Sequence, residues 1–323
     1  MPLETFKYSF KNNWDINDIP TDNLVSINNR DYFLGYLDPE RKTHKGGHSR
    51  IFALYDAQDF ESETDHIPSK VLKISKYCDF INNNKTKISY SRNNRRFWNE
   101  VSALDLCKTK NYQNIIEIET SGYMVNQSID EEKYQYFPYY IMEYAECDLK
   151  NYIETIRLTI NERIKLCLHI AQGLKQLEEL GYYHRDLKPD NILFVDNNWK
   201  IGDLGLISSR YSDSIDDCNE VIGPRGWMTP EAMNKYLTEE KGFQYKFDCI
   251  IDHQSDIFQL GKVFWYIIQG NAPIGCIKTI DFRENDIELY ALLRTMLNHS
   301  KKKRYKHIDE VITILKRISE KMY

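Results

Sequence analysis

The groups best able to do chemistry in this 323-residue chain gather in one run, His184-Arg-Asp-Leu-Lys-Pro-Asp-Asn191, in a polar turn directly after a helical repeat. Twelve residues beyond Asn191, across a short hairpin, comes a second acidic turn, Gly202-Asp203-Leu204-Gly205. Carboxylates close in sequence to a lysine and an amide are the types that proton transfer, charge neutralisation and cation binding draw on. Earlier in the chain, the Gly46-Gly47 turn offers backbone N–H groups that no Cβ shields, so an anion such as a phosphate can approach them. Lys73 stands in a strand-like run, Val71-Leu-Lys-Ile74, with apolar neighbours on both sides.

The two acidic segments together resemble the catalytic loop and the metal-binding D-F-G segment of protein kinases, with Leu204 in place of Phe. A polar loop and an unrelated acidic turn would explain the residues singly. Eight contiguous matches followed by Asp-Leu-Gly at the expected spacing are hard to obtain by chance. The resemblance implies transfer of the γ-phosphate of ATP to a protein hydroxyl, a reaction that needs mostly positioning and neutralisation of phosphate charge. Asp186 would accept the hydroxyl proton and orient that oxygen, and Lys188 would contact the transferring phosphate. Asn191 and Asp203 would hold Mg²⁺, with Mn²⁺ as an alternative.

The same resemblance assigns the rest of the site. His44-Lys-Gly-Gly-His-Ser-Arg-Ile51 aligns with the glycine-rich nucleotide loop. Only Gly46 of the three glycines is kept, Gly47 is extra, and Ile51 takes the place of the loop's valine. Lys73 would pair with the α- and β-phosphates, although a solvated strand lysine is the plain alternative. Glu100 in Arg96-Phe-Trp-Asn-Glu-Val would be its partner, with Leu104 one turn later. Tyr139 to Leu149 resembles the linker between lobes. Met142 would guard the back of the adenine pocket, the backbone of Glu143 and Ala145 would bond the adenine edge, and Asp148 would reach the ribose. Thr229-Pro-Glu231, Asp256-Ile-Phe-Gln-Leu-Gly261 and Arg304 resemble architectural motifs of the larger lobe, with Arg304 expected to pair with Glu231.

Lys188-Pro189 is the pattern of serine/threonine-directed members, whereas Trp227-Met228 is faintly similar to tyrosine kinases, so dual specificity stays open. Arg185 beside Asp186 marks the class in which a phosphate on the activation segment pairs with that arginine. Acceptors after Asp203 are Ser208, Ser209, Tyr211, Ser212 and Ser214, with autophosphorylation expected at Ser212 or Ser214 and a homodimer allowing it in trans. Asp213, Asp216, Asp217 and Glu220 lie in the same segment, so a carboxylate could stand in for the phosphate. Two other readings compete with an active kinase. A pseudokinase or scaffold would suit the altered glycine loop and Pro224. A small-molecule phosphotransferase would share the catalytic residues but not Thr229-Pro-Glu231.

The elements that must position these groups follow from periodicity. Tyr32 to Lys76 alternates as strands, Phe97, Val101, Leu104 and Cys107 share a helical face, and two further strand-like runs reach Tyr144. Beyond it helices dominate: Thr159-Ile-Asn-Glu162 is a capping box, and apolar positions recur from Ile164 to Leu177 until Gly181. The expected fold class is α+β and bilobal. A small, mostly antiparallel β N-lobe with one helix spans 32–143, a hinge 143–149, and a larger, mostly α C-lobe 150–323. Residues 1–31 read as an N-terminal extension.

Composition sets the outer limits. Lys plus Arg number 43 and Asp plus Glu 48, a net charge of −5, which gives no electrostatic case for a nucleic-acid or anionic-membrane partner. Protein substrates and ATP are the expected partners. No apolar run approaches the ~20 residues of a membrane span, and the start has no signal-peptide pattern. Seven widely spaced cysteines without a C-x-x-C pair argue against a disulfide framework or a zinc site and for a reducing, cytoplasmic location.

Overall fold

The structure, a computed structural model, describes residues 24–35, 37, 48–58, 67–80, 92–127, 134–212, 215–216 and 220–321. The chain divides into two compact units, Met1–Asp105 with Glu117–Tyr144, and Leu106–Ile116 with Ala145–Tyr323. The later division, between Tyr144 and Ala145, falls inside the 143–149 stretch expected to join the lobes.

The first unit is a curled antiparallel sheet with a helix. Its strands are β1 (Leu24–Ile27), β2 (Arg30–Gly35), β3 (Ser49–Asp56), β4 (Lys70–Ser75) and the short β5 (Asp79–Phe80). The helix α1 (Arg92–Thr109), which runs on past Asp105, and strands β6 (Ile118–Gln127) and β7 (Tyr134–Glu143) follow. The order is β1-β2-β3-β4-β7-β5, with β6 also on β7. Strand β4 is central and buried along nearly its whole length, as its run of apolar residues requires. Val25, Ile27, Leu34, Phe52, Leu72 and Ile74 form one buried cluster, each worth roughly 1.5–3 kcal/mol relative to exposure. On α1 the predicted face of Phe97, Val101, Leu104 and Cys107 is the buried one.

The sheet starts earlier than the 1–31 boundary implied. Leu24–Ile27 pairs with Arg30–Phe33 through a two-residue turn, and Asn28 and Asn29 both have φ in the left-handed region (51° and 61°). Asparagine tolerates that geometry, which fits the twist of a hairpin.

The second unit is helical around small sheets. After β8 (Cys147–Asp148) come α2 (Leu149–Thr155) and α3 (Ile160–Glu179), whose predicted capping box joins Thr159 and Glu162 reciprocally. Short strands β9 (Tyr182–Tyr183), β10 (Ile192–Val195), β11 (Asn198–Ile201) and β12 (Ser208–Ser209) frame the functional segments. Then follow α4 (Pro230–Thr238), α5 (His253–Gln269), α6 (Ile287–Met296) and α7 (Ile308–Lys321). Helix α5 is the buried spine, capped by Asp252 at its start and by left-handed Gly270 at its end. Helix α3 packs against α5, α7 and β11. It lies so close to the backbone that a Cβ on Gly173 would sit 2.6 Å from the Asn114 carbonyl oxygen. Among the described residues no helix is long and apolar enough to cross a membrane.

Candidate active site

In the first unit, cross-strand register sets Ile51 of β3, Lys73 of β4 and Tyr140 of β7 in one row, so their side chains share a face of the sheet. Lys73 Nζ donates to both carboxylate oxygens of Glu100 on α1, at 2.8 and 3.0 Å. The Tyr140 hydroxyl donates to Glu100 Oε1 at 2.9 Å. Lys73 and Glu100 are only 5% and 1% exposed, so each charge depends on the other to offset its desolvation. The start of α1 is fixed separately: Ser75 Oγ donates to Asn94 Oδ1 at 2.6 Å, and Asn94 Nδ2 donates to Asp79 Oδ1 at 2.8 Å. Helix and strand are therefore locked at both ends of the Lys73–Glu100 pair.

The expected adenine-edge residues sit at the end of β7. Met142 faces Val71 across the ladder and is half-buried. The Glu143 N–H donates to the Glu117 carbonyl at 3.1 Å, and Glu143 pairs with Lys70 in the ladder. Gly46 and Gly47 lie outside the described residues. Ala145 and Asp148 belong to the second unit, where the Asp148 carboxylate caps α2 by accepting the Asn151 N–H at 2.8 Å.

The second unit holds the His184–Asn191 segment by its backbone. Asp256 on α5 accepts the N–H groups of His184 and Arg185 at 2.8 and 2.7 Å. One turn on, Gln259 accepts the Leu187 N–H and donates to the Arg185 carbonyl, both at 3.1 Å. Complete burial pushes the Asp256 carboxyl up to about 7, against the pull of those two N–H groups. His184 is buried and its pKa is lowered by desolvation, so its ring is neutral. Nε2 then donates to the Gly202 carbonyl at 3.2 Å while Nδ1 accepts the Asp186 N–H at 3.2 Å. That one ring ties the loop of Asp186 to the turn of Asp203.

Asp186 Oδ2 accepts from Lys188 Nζ at 3.0 Å and from Asn191 Nδ2 at 2.9 Å. Asn191 Nδ2 also donates to the Asp186 carbonyl at 2.9 Å, which fixes the amide and turns Oδ1 the other way. An amide oxygen so oriented and the exposed carboxylate of Asp203 are hard donors of the kind Mg²⁺ accepts, so the residues present fit that ion. Arg185 and Asp203 both have left-handed backbones, φ 67° and 52°, an uncommon state for residues with a Cβ that clusters at functional sites.

Downstream, Glu231 and Arg304 form the expected pair at 2.5 Å, both almost wholly buried, with Ser255 Oγ donating to Glu231 at 3.2 Å. Two groups escaped the sequence reading as site residues. Tyr140 depends on β4–β7 register, which the sequence does not display. Gln259 lies inside the Asp256–Gly261 motif, and its spacing of three from Asp256 puts both on one helical face.

The model of the protein kinase domain matches residues 78–322. The chain is 30% identical over 195 residues to the sensor for unfolded proteins in the ER ire1 of Schizosaccharomyces pombe, a match covering 53% of this chain and 17% of that protein. It is 28% identical over 182 residues to a "Probable serine/threonine-protein kinase" of Clostridium perfringens, covering 55% and 23%. It is 30% identical over 117 residues to serine/threonine-protein kinase 16 of Mus musculus, covering 36% and 38%. The matched stretch is thus well under two thirds of each relative's own length.

Proposed function

The chain belongs to the protein kinase domain family, and from that premise we propose that it transfers the γ-phosphate of Mg-ATP to serine and threonine hydroxyls of proteins, its own activation segment included. The observation that carries the reading is the convergence of Lys188 and Asn191 on the Asp186 carboxylate, in a loop pinned through its backbone to α5. Asp186 takes the hydroxyl proton as the oxygen attacks. Lys188 neutralises the transferring phosphate, and Lys73, held by Glu100, neutralises the α- and β-phosphates. Asn191 and Asp203 would hold Mg²⁺, which supplies further neutralisation when bound. The family resemblance further assigns Met142, the backbone of Glu143 and Ala145, Asp148, Ile51, Gly46 and Gly47 to nucleotide binding.

Lys188-Pro189 and the names of two relatives support the serine/threonine preference. Six free cysteines among the described residues suit a reducing, cytoplasmic setting. Ser212, exposed after β12, and Ser214 are the proposed acceptors for autophosphorylation, between copies if they meet. Transfer of labelled phosphate from ATP to itself and to a generic protein, with Asp186→Asn alongside, tests the reading. The substitution is expected to lower transfer by ~10²–10⁴-fold. Wild type and variant transferring equally would instead mark a pseudokinase.

A further inference from the structure

From the end of α4 to the start of α5 the chain turns its apolar side chains outward. Phe243 is 57% exposed, Tyr245 76% and Ile250 69%, and Tyr236, Leu237 and Phe247 are exposed with them. Every residue from Glu240 to Asp248 is exposed, so the stretch stands off the second unit as a loop. Both ends are pinned. Asn234 Nδ2 on α4 donates to the Asp248 carbonyl at 3.1 Å, and Lys241 Nζ donates to the Tyr236 carbonyl at 3.0 Å. Between them Phe243 and Phe247 meet edge to face, their ring centroids 6.3 Å apart. Single exposed apolar residues are ordinary on a protein surface, whereas three aromatic rings in one short loop mark a contact surface.

Charge says what that surface meets. Lys301 Nζ donates to the Ile250 carbonyl and pairs with Asp252 at 3.0 Å. The Lys306 carbonyl lies 2.6 Å from His253 Nε2, so the 301–306 stretch runs along the base of the loop. Lys246 in the loop and Lys302, Lys303 and Lys306 at its base are exposed and have no carboxylate partner among the described residues. Against them the loop sets only Glu240 and Asp248, and Asp248 is engaged by Lys301 at 3.5 Å. The overall charge of −5 is therefore locally reversed. The chain bends at Gln244 and Tyr245, so the loop offers a rounded tip and no straight edge for a partner strand. Aromatic rings on such a tip suit the acyl boundary of a bilayer, while lysines beside them stay among anionic headgroups.

We propose that the 240–250 loop, with Lys302, Lys303 and Lys306, docks this protein on an anionic lipid bilayer, Phe243, Tyr245 and Phe247 entering the interface. The inference stands apart from phosphate transfer and does not rest on it. Among the described residues no helix is long and apolar enough to cross a membrane, so the loop acts by lying on the bilayer.

The test is cosedimentation of the full chain with vesicles of phosphatidylcholine alone or with about 30% phosphatidylserine, at about 0.1 M and about 0.5 M salt. Phe243→Ser with Phe247→Ser, Lys302→Glu with Lys303→Glu, and Ile67→Ser, an exposed apolar residue of the first unit, run alongside. Wild type is expected to bind the phosphatidylserine vesicles about tenfold more tightly or better, and to loosen at the higher salt. Each double variant should lose about tenfold or more, with I67S unchanged. In Tyr245→Trp the added indole emission should be quenched by lipids with brominated acyl chains, a readout that needs no loss of binding. Absence of binding to either vesicle overturns the proposal and assigns the loop to a protein groove. Equal binding to both lipids, binding that F243S/F247S leaves intact, or an indole in Y245W that brominated lipid does not quench overturns it as well.

Discussion

Replacing Glu100 by glutamine tests whether the first unit holds Lys73 in the manner described. The amide keeps the shape but removes the charge that both Lys73 and Tyr140 address. With Lys73 only 5% exposed, taking that carboxylate charge away from a buried ammonium is a loss worth about 3–5 kcal/mol. Tyr140→Phe removes one hydrogen bond to a charged acceptor, about 1.5–3 kcal/mol, and leaves the ion pair whole. The two variants should therefore separate by roughly 2 kcal/mol. They should also separate in function: E100Q loses tenfold or more in phosphate transfer because Lys73 is no longer aimed, whereas Y140F stays within threefold of wild type. Urea denaturation followed by tryptophan fluorescence gives the first comparison and labelled-ATP transfer the second. If Y140F costs as much stability as E100Q, or silences transfer equally, the ion pair is not what positions Lys73 and the argument fails.

The buried Glu231–Arg304 pair should behave likewise: E231Q is expected to cost about 3–5 kcal/mol, and an E231L/R304M double variant to recover much of it; single losses that simply add in a denaturation cycle would refute the coupling. Asp256 makes stability depend on pH with a definite sign. Its unfolded carboxyl titrates near 3.8 and its folded one near about 7, so the folded protein holds the extra proton between those values. Stability from this group is complete below the lower value and is lost as pH rises through the upper one, by about 4 kcal/mol in all. Comparing urea midpoints at pH 5 and 8 checks it, since D256N should lack that share of the slope. Gly173→Ala should destabilise by about 1–3 kcal/mol through overpacking against the Asn114 carbonyl; a thermal melt matching wild type would contradict that close approach.

Much of the second unit's site was legible because it is local: eight contiguous residues and a turn twelve residues later carry it, and no long-range pairing has to be known. The Lys73–Glu100 pair was also reachable, since a strand lysine and a helix glutamate need only the right order along the chain. What stayed hidden depended on register or on choice among equals. Tyr140 reaches Glu100 only because β7 aligns with β4 as it does. Asp216 was one of four acids in its segment, and only the fold selects it for Arg185. The start of the sheet had a signal that was passed over, Leu24-Val-Ser-Ile27 ahead of an Asn-Asn turn. Asp148 likewise stands where a helix N-cap is favoured.

The left-handed backbone of Asp203 sets heat resistance against the proposed activity. Glycine there would relieve roughly 1–2 kcal/mol of backbone strain and delete a carboxylate the proposed reaction needs. At the equally left-handed Arg185 the same change would break the buried pair with Asp216, at about 3–5 kcal/mol, more than the strain it relieves. A variant library sorted once by folding and once by phosphate transfer should rank glycine at 203 in opposite directions and glycine at 185 low in both.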